Sequence, residues 1–158
     1  MLPARADQRV LGYLGRALSL ELSAVQLYST QARLVATWGL NGPADRLRKE
    51  AREEMEHVER VIARMLAHGV APNASQLRPV RLGHDLRELL LADQAFEHEL
   101  ARLYHEAASH CARVGNHDDR MFFQTLWEEE RSHGVELARW LEELQRPGAS
   151  PEADGAVF

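Results

Sequence analysis

Two short stretches of the chain, Glu54-Met55-Glu56-His57 and Glu130-Arg131-Ser132-His133, set a glutamate three residues before a histidine. On an α-helix, positions i and i+3 share a face, so each stretch can offer one carboxylate oxygen and one imidazole nitrogen to a single cation. Glu21 and Glu97 sit in stripes that are otherwise mostly apolar at helical spacing, where a core residue is expected. Four buried carboxylates are costly without compensating charge, and two divalent cations would balance them. One glutamate from each of two helices, plus a Glu-x-x-His from each of two others, is the donor set of a di-iron carboxylate centre. Oxygen and imidazole donors without thiolate suit iron or manganese, with zinc as a further occupant. In this reading Glu54 and Glu130 bridge the metals, and Glu21 and Glu97 are terminal ligands. One Glu-x-x-His alone arises by chance in Glu- and His-rich helices. Two of them combined with two mid-stripe glutamates form a far more specific pattern. Glu53, Glu56, Glu128 and Glu129 read as solvated groups or as supports behind the ligands, and the other six histidines as surface residues. Asp93, one turn before Glu97, either orients a ligand histidine or lies near the edge of the fold.

Such a centre needs four helices, and the punctuation of the chain supplies them. Prolines fall at 3, 43, 72, 79, 147 and 151, and Gly115 breaks the long stretch between the last two groups. Helices are expected near residues 6–38, 44–69, 84–113 and 117–146. Each carries an apolar stripe of alternating three and four spacing, as in Leu86, Leu90, Asp93, Glu97, Leu100, Tyr104 and Ala107. No strand-like alternation of useful length occurs, so the fold class is all-α. Short turns make helices one and two, and helices three and four, antiparallel. The segment from Val70 to Gly83 can reach ~45 Å at about 3.3 Å per residue. A 26-residue helix is ~39 Å long, so this segment can run the length of a bundle and leave helices two and three parallel.

Composition limits the function classes. The chain has 158 residues, is 45% hydrophobic and 27% charged, and carries a net charge of −5. That suits one domain with a real core, and the scattered basic residues argue against nucleic-acid or membrane-surface binding. The single cysteine, Cys111, excludes an internal disulfide framework. With no apolar run of membrane-spanning length and no signal-peptide pattern at the start, a cytoplasmic location is expected. Residues 1–146 read as one four-helix domain and 147–158 as a flexible Pro/Gly-rich tail.

The stretches Glu21-Leu22-Ser23-Ala24-Val25-Gln26-Leu27-Tyr28, Trp38-Gly39-Leu40, Glu54-Met55-Glu56-His57 and Glu130-Arg131-Ser132-His133 together resemble the bacterioferritins, over about residues 8–146. The resemblance implies a ferritin-like bundle with the long crossover between helices two and three. It implies a ferroxidase whose ligands are Glu21, Glu54, His57, Glu97, Glu130 and His133. Such an enzyme oxidises Fe(II) with dioxygen or peroxide and stores ferric mineral in a homo-oligomeric shell of twofold dimers. Tyr28 matches the family's tyrosine beside the di-iron centre, an electron donor in that role and otherwise a core aromatic. Met55 matches the methionine that, with its twofold mate, clasps the iron of a b-type haem; as a residue alone it also suits a gap-filling place in an interface. Arg48, Arg52 and Glu59 surround it, and the arginines are available to haem propionates. An electron-donor protein for iron release is a further implied partner. Two departures are evident: the tail does not favour the family's fifth helix, which opens smaller assemblies than a 24-subunit shell, and Lys49 stands where relatives often carry histidine. These departures leave room for a non-storing di-metal oxidase or peroxidase, or for a haem-binding electron-transfer or structural subunit of a mixed shell.

Overall fold

The computed structural model describes residues 7–148, and within them the chain forms four long helices and no strand. They are α1 (Gln8–Thr37), α2 (Asn41–Ala67), α3 (Leu86–Arg113) and α4 (His117–Gln145). The expected boundaries hold to within about three residues. The largest shift is at α2, which begins at Asn41 and takes Pro43 into its first turn. A proline costs nothing there, because the first N–H groups of a helix have no acceptor in any case. Whether a fifth helix or a flexible tail follows Gly148 lies outside the described residues.

Local chemistry fixes the helix ends. Asp7, Asp85 and Asn116 each cap a helix, accepting from the N–H of Arg9, Glu88 and Asp119 respectively. Gly39 and Gly115 have φ of +81° and +73° just after α1 and α3, the left-handed geometry that ends a helix at low cost.

Side-chain pairs establish the topology. Along α1, Glu21, Tyr28 and Gln31 meet Tyr104, Glu97 and Asp93 on α3 in descending order, so α1 and α3 are antiparallel. Along α2, Arg46, His57 and Arg64 meet Glu143, Glu130 and Asp119 on α4, again antiparallel. The short turn between α1 and α2 reverses the chain once, which leaves α2 and α3 parallel and makes residues 70–85 the expected crossover. The crossover is tied to α1 by two serines one turn apart. Ser19 Oγ accepts from the Gln76 N–H at 3.1 Å and Ser23 Oγ from the Arg78 N–H at 3.0 Å. Tyr13, Leu14, Leu18, Leu47, Leu90, Leu100, Phe123 and Leu126 are fully buried and fill the bundle on both sides of its polar middle.

Candidate di-metal centre

The helical stripes bring six acid and imidazole side chains to one height inside the bundle. Glu21, Glu54, Glu97 and Glu130 are at most 1% exposed, and His57 and His133 are nearly as enclosed. Their donor atoms converge in two sets, Glu21, Glu54, His57 and Glu130 around one point and Glu50, Glu54, Glu97 and His133 around another, with the atoms of each set within 4.8 Å of one another. His57 Nδ1 lies 2.7 Å from Glu130 Oε1 and 3.4 Å from Glu21 Oε1. His133 Nδ1 lies 2.8 Å from Glu54 Oε1 and 3.5 Å from Glu130 Oε2. The two imidazole planes are 15° apart with centroids 5.8 Å apart. Glu54 belongs to both sets, and Glu130 approaches both histidines.

Two features show that this polar cluster suits cations. Both oxygens of Glu54, and one each of Glu21, Glu97 and Glu130, are buried with no hydrogen-bond partner. His133 Nδ1 and Glu54 Oε1 approach to 2.8 Å yet make no hydrogen bond, so both point at shared space rather than at each other. The second feature is where the protons sit. Burial, then the neighbouring Glu54 carboxylate, pushes Glu21 up to about 8. Burial likewise drives Glu130 and Glu97 upward, reinforced by the Glu21 and Glu54 carboxylates respectively. At Glu54 burial also raises the carboxyl, but contacts with Glu21, His133 and His57 outweigh it and hold the group well below the usual carboxylate range. Burial lowers His57, yet Glu21 and Glu54 overcome it and raise the imidazole to about 10. His133 is raised against burial by Glu130, Glu53 and Glu54. Without metal, protons and imidazolium charge thus occupy the place that cations would take.

A shell of supporting groups surrounds the donors, with a near-twofold pattern. The Tyr28 hydroxyl donates to Glu97 Oε1, and the Tyr104 hydroxyl donates to Glu21 Oε1 at 2.8 Å. Glu53 Oε2 lies 3.0 Å from His133 Nε2, and Glu129 Oε2 lies 3.8 Å from His57 Nε2. Glu53 and Glu129 therefore stand behind the imidazoles of His133 and His57, whereas Glu56 and Glu128 are exposed.

The structure adds and corrects several residues. Glu50 escapes the sequence reading but belongs to the His133 set, and burial pushes its carboxyl up to about 8. Its position four residues before Glu54 was the available signal, since i and i+4 share a helix face. Asp93 neither orients a histidine nor lies at an edge; it is fully buried and accepts from Gln31 Nε2 at 2.6 Å. Two of the expected surface histidines are structural instead. His110 is buried 2.7 Å from Asp7, and half-buried His68 lies 2.9 Å from Asp119. His84, His98, His105 and His117 are exposed. Lys49 is exposed and reaches to 3.8 Å from Glu53 Oε1.

Met55 points away from the centre, about 100° around α2 from Glu54. It is 43% exposed and lines an open cavity of ≈ 420 Å³ with Val25, Ala32, Arg33, Arg48 and Arg52 among its walls. Its lining combines small or apolar side chains with three arginines, and Glu59 does not line it.

Known proteins match this chain over most of its length. The family model for the ferritin-like domain matches residues 11–146. A bacterioferritin of Rhodobacter capsulatus is 39% identical over 129 residues, covering 82% of this chain and 80% of the relative. A bacterioferritin of Brucella melitensis is 31% identical over 144 residues, covering 91% and 89%. A solved structure of the Rhodobacter capsulatus bacterioferritin superposes with a TM-score of 0.88 at 34% identity and covers 98% of both chains. That structure has a metal-free dinuclear site, and its haem iron lies on a crystallographic special position. Among the described residues no helix is long and apolar enough to cross a membrane.

Proposed function

The chain belongs to the bacterioferritin family of iron-storage proteins, and from that premise we propose that it oxidises Fe(II) at the centre formed by Glu21, Glu54, His57, Glu97, Glu130 and His133. The observation that carries this reading is the set of buried, unpartnered carboxylate oxygens aimed into one shared space. Fe(II) is the substrate, and dioxygen or peroxide the oxidant. Glu54 and Glu130 bridge two ferrous ions; Glu21 with His57, and Glu97 with His133, complete the two positions. Holding both ions side by side lets the oxidant take two electrons in one encounter. Carboxylate donors favour the ferric product, because their charge offsets the added positive charge. Tyr28 is the proposed electron donor beside the centre, its hydroxyl directed at Glu97. The ferric product passes to mineral within an oligomeric shell.

Met55 and its cavity support a haem site. Met55, with the same methionine of a twofold mate, would hold a haem there through its thioether, while Arg33, Arg48 and Arg52 suit propionates. Haem there would carry electrons between mineral and an electron-donor protein. Replacing Met55 with leucine is expected to remove the haem absorbance and leave Fe(II) oxidation intact.

Glu54→Ala and His133→Ala test the centre itself. Each is expected to abolish rapid Fe(II) oxidation in stopped-flow absorbance while circular dichroism keeps its helical signal. Unchanged oxidation in either variant refutes the ligand assignment.

A further inference from the structure

Glu21 and Glu97 are each followed seven residues later by a tyrosine, Tyr28 on α1 and Tyr104 on α3. Because α1 and α3 are antiparallel, the pairs cross. Tyr28 donates to Glu97 on the other helix and Tyr104 donates to Glu21. Both rings are fully buried. In each pair one carboxylate oxygen accepts from the phenol and the other has no hydrogen-bond partner. Each terminal carboxylate thus connects one phenol to one cation position. The two halves of the centre are equivalent in this respect, and whatever Tyr28 can do on one side Tyr104 is placed to do on the other.

We propose that Tyr104 is a second electron donor to the oxidant, acting on the Glu21–His57 side as Tyr28 acts on the Glu97–His133 side. The inference rests on the ferroxidase reading above. Reduction of one dioxygen to two waters takes four electrons and four protons. Two Fe(II) ions supply two electrons and become Fe(III). Tyr28 and Tyr104 each supply one more electron and become neutral phenoxyl radicals. Their phenolic protons pass to Glu97 and Glu21, which already accept those hydrogen bonds, and then to the oxygen being reduced; the other two protons come from solvent. An acceptor within hydrogen-bond reach lets proton and electron leave the phenol together, so no charged radical forms in the dry interior. Released hydrogen peroxide is avoided, because the oxidant is fully reduced in one event.

The third tyrosine of the chain, Tyr13, is the natural control. Aromatic contacts run outward from Tyr104 through Phe123 to Tyr13, at centroid spacings of 6.4 and 6.3 Å. Yet the Arg16 guanidinium stands 4.8 Å over the Tyr13 ring, and the Tyr13 hydroxyl accepts from Arg9 Nε rather than donating to a carboxylate. A cation over the ring opposes loss of an electron. The hole therefore stays at Tyr104.

The test loads the intact protein anaerobically with two Fe(II) per subunit and mixes it with oxygenated buffer. Freeze-quench paramagnetic resonance reads radicals, an electrode reads oxygen consumed, and a fluorogenic peroxidase assay reads peroxide. The wild type is expected to give phenoxyl signals from two tyrosines, one dioxygen consumed per two Fe(II), and no free peroxide. Tyr104→Phe should lose one radical signal and release peroxide, whatever its rate of Fe(II) oxidation. Tyr28→Phe should lose the other signal, the double variant both, and Tyr13→Phe neither. A Tyr104→Phe protein with wild-type radical yield and no peroxide overturns the proposal, as does one that only oxidises more slowly, since a purely positional phenol would change rate alone. Slow oxidation in the wild type itself would overturn the ferroxidase reading and this inference with it.

Discussion

Replacing Glu21 with glutamine should make the metal-free protein more stable and the working protein less capable. Glu21 is buried beside Glu54, and these surroundings push its carboxyl up to about 8, from the 4.5 expected in the unfolded chain. Between those values the folded state holds a proton that the unfolded state has released, so stability falls as pH rises. At pH 7 the span from 4.5 is about 2.5 pH units, and at 1.36 kcal/mol per unit the carboxyl costs roughly 3 kcal/mol. Glutamine cannot ionise and carries no such cost. Its Oε1 still accepts from Tyr104, and its Nε2 can donate to Glu54, which remains ionised. Loss of the Glu21 contact with His57, 3.4 Å in the native chain, offsets part of the gain, at about 1 kcal/mol. The net expectation is roughly 2 kcal/mol, or about 4–8 °C in thermal midpoint for a domain of this size. The assay is thermal or urea denaturation of metal-stripped protein, native and Glu21→Gln, at pH 7 and pH 4.5. The advantage of the variant should be present at pH 7 and gone at pH 4.5. Adding Zn(II) should raise the native midpoint more than that of the variant. A variant less stable than native at pH 7 without metal, or a difference independent of pH, would mean that burial does not hold the Glu21 proton.

Glu50→Gln should weaken cation binding at the His133 position by roughly 10–100-fold and leave the His57 position near native. Two-site calorimetric titration with Co(II) checks this, and equal weakening of both positions counts against it. Asp119 accepts from Arg64 Nε at 2.6 Å and lies 2.9 Å from His68 Nε2, so Asp119→Ala strands charge between α2 and α4 and should cost about 3 kcal/mol. Burial raises the Asp119 carboxyl, but His68, Asn116 and Arg64 hold it below 3.8. The native advantage should therefore persist at neutral pH and disappear as acid takes the solution below that value, with Fe(II) oxidation unaffected throughout.

The six proposed ligands were legible in the sequence because a helix leaves a periodic record. A glutamate standing where a leucine belongs is visible as an interruption of that period, and the i, i+3 histidine adds a second constraint on the same face. The crossover was legible for a different reason: its length against that of a helix limits where the chain can go. What the sequence did not reveal depends on contacts between helices. Glu50 sits on the same face as Glu54, yet only its depth in the bundle separates it from Glu53, which is one-third exposed. His110 and His68 looked like surface groups because nothing in their own helices pairs with them; their partners Asp7 and Asp119 are distant in sequence or on another helix. Tyr104 belonged to the apolar stripe of α3, and its role emerges only when α1 brings Glu21 opposite.

The centre is nearly twofold in its ligands but not in what surrounds them, and that difference gives it a direction. Four residues before Glu54 stands Glu50, and four before Glu97 stands Asp93; the matching positions before Glu130 and Glu21 are Leu126 and Ala17. Gln31 supports Asp93, whereas the corresponding place on α3 is Ala107. Since α2 and α3 are parallel, Glu50 and Asp93 extend the polar cluster toward the same end of the bundle. The other end is closed by Leu126, Ala17, Ala107 and Val61, all fully buried. Crossing that apolar plug would strip a divalent ion of its hydration without compensation. Acidic oxygens at Glu50 and Glu53 offer replacement for lost water on the His133 side, one step closer to solvent. Charge compensation and desolvation thus both favour a cation's approach from the Glu50 side of the cluster over the Leu126 side.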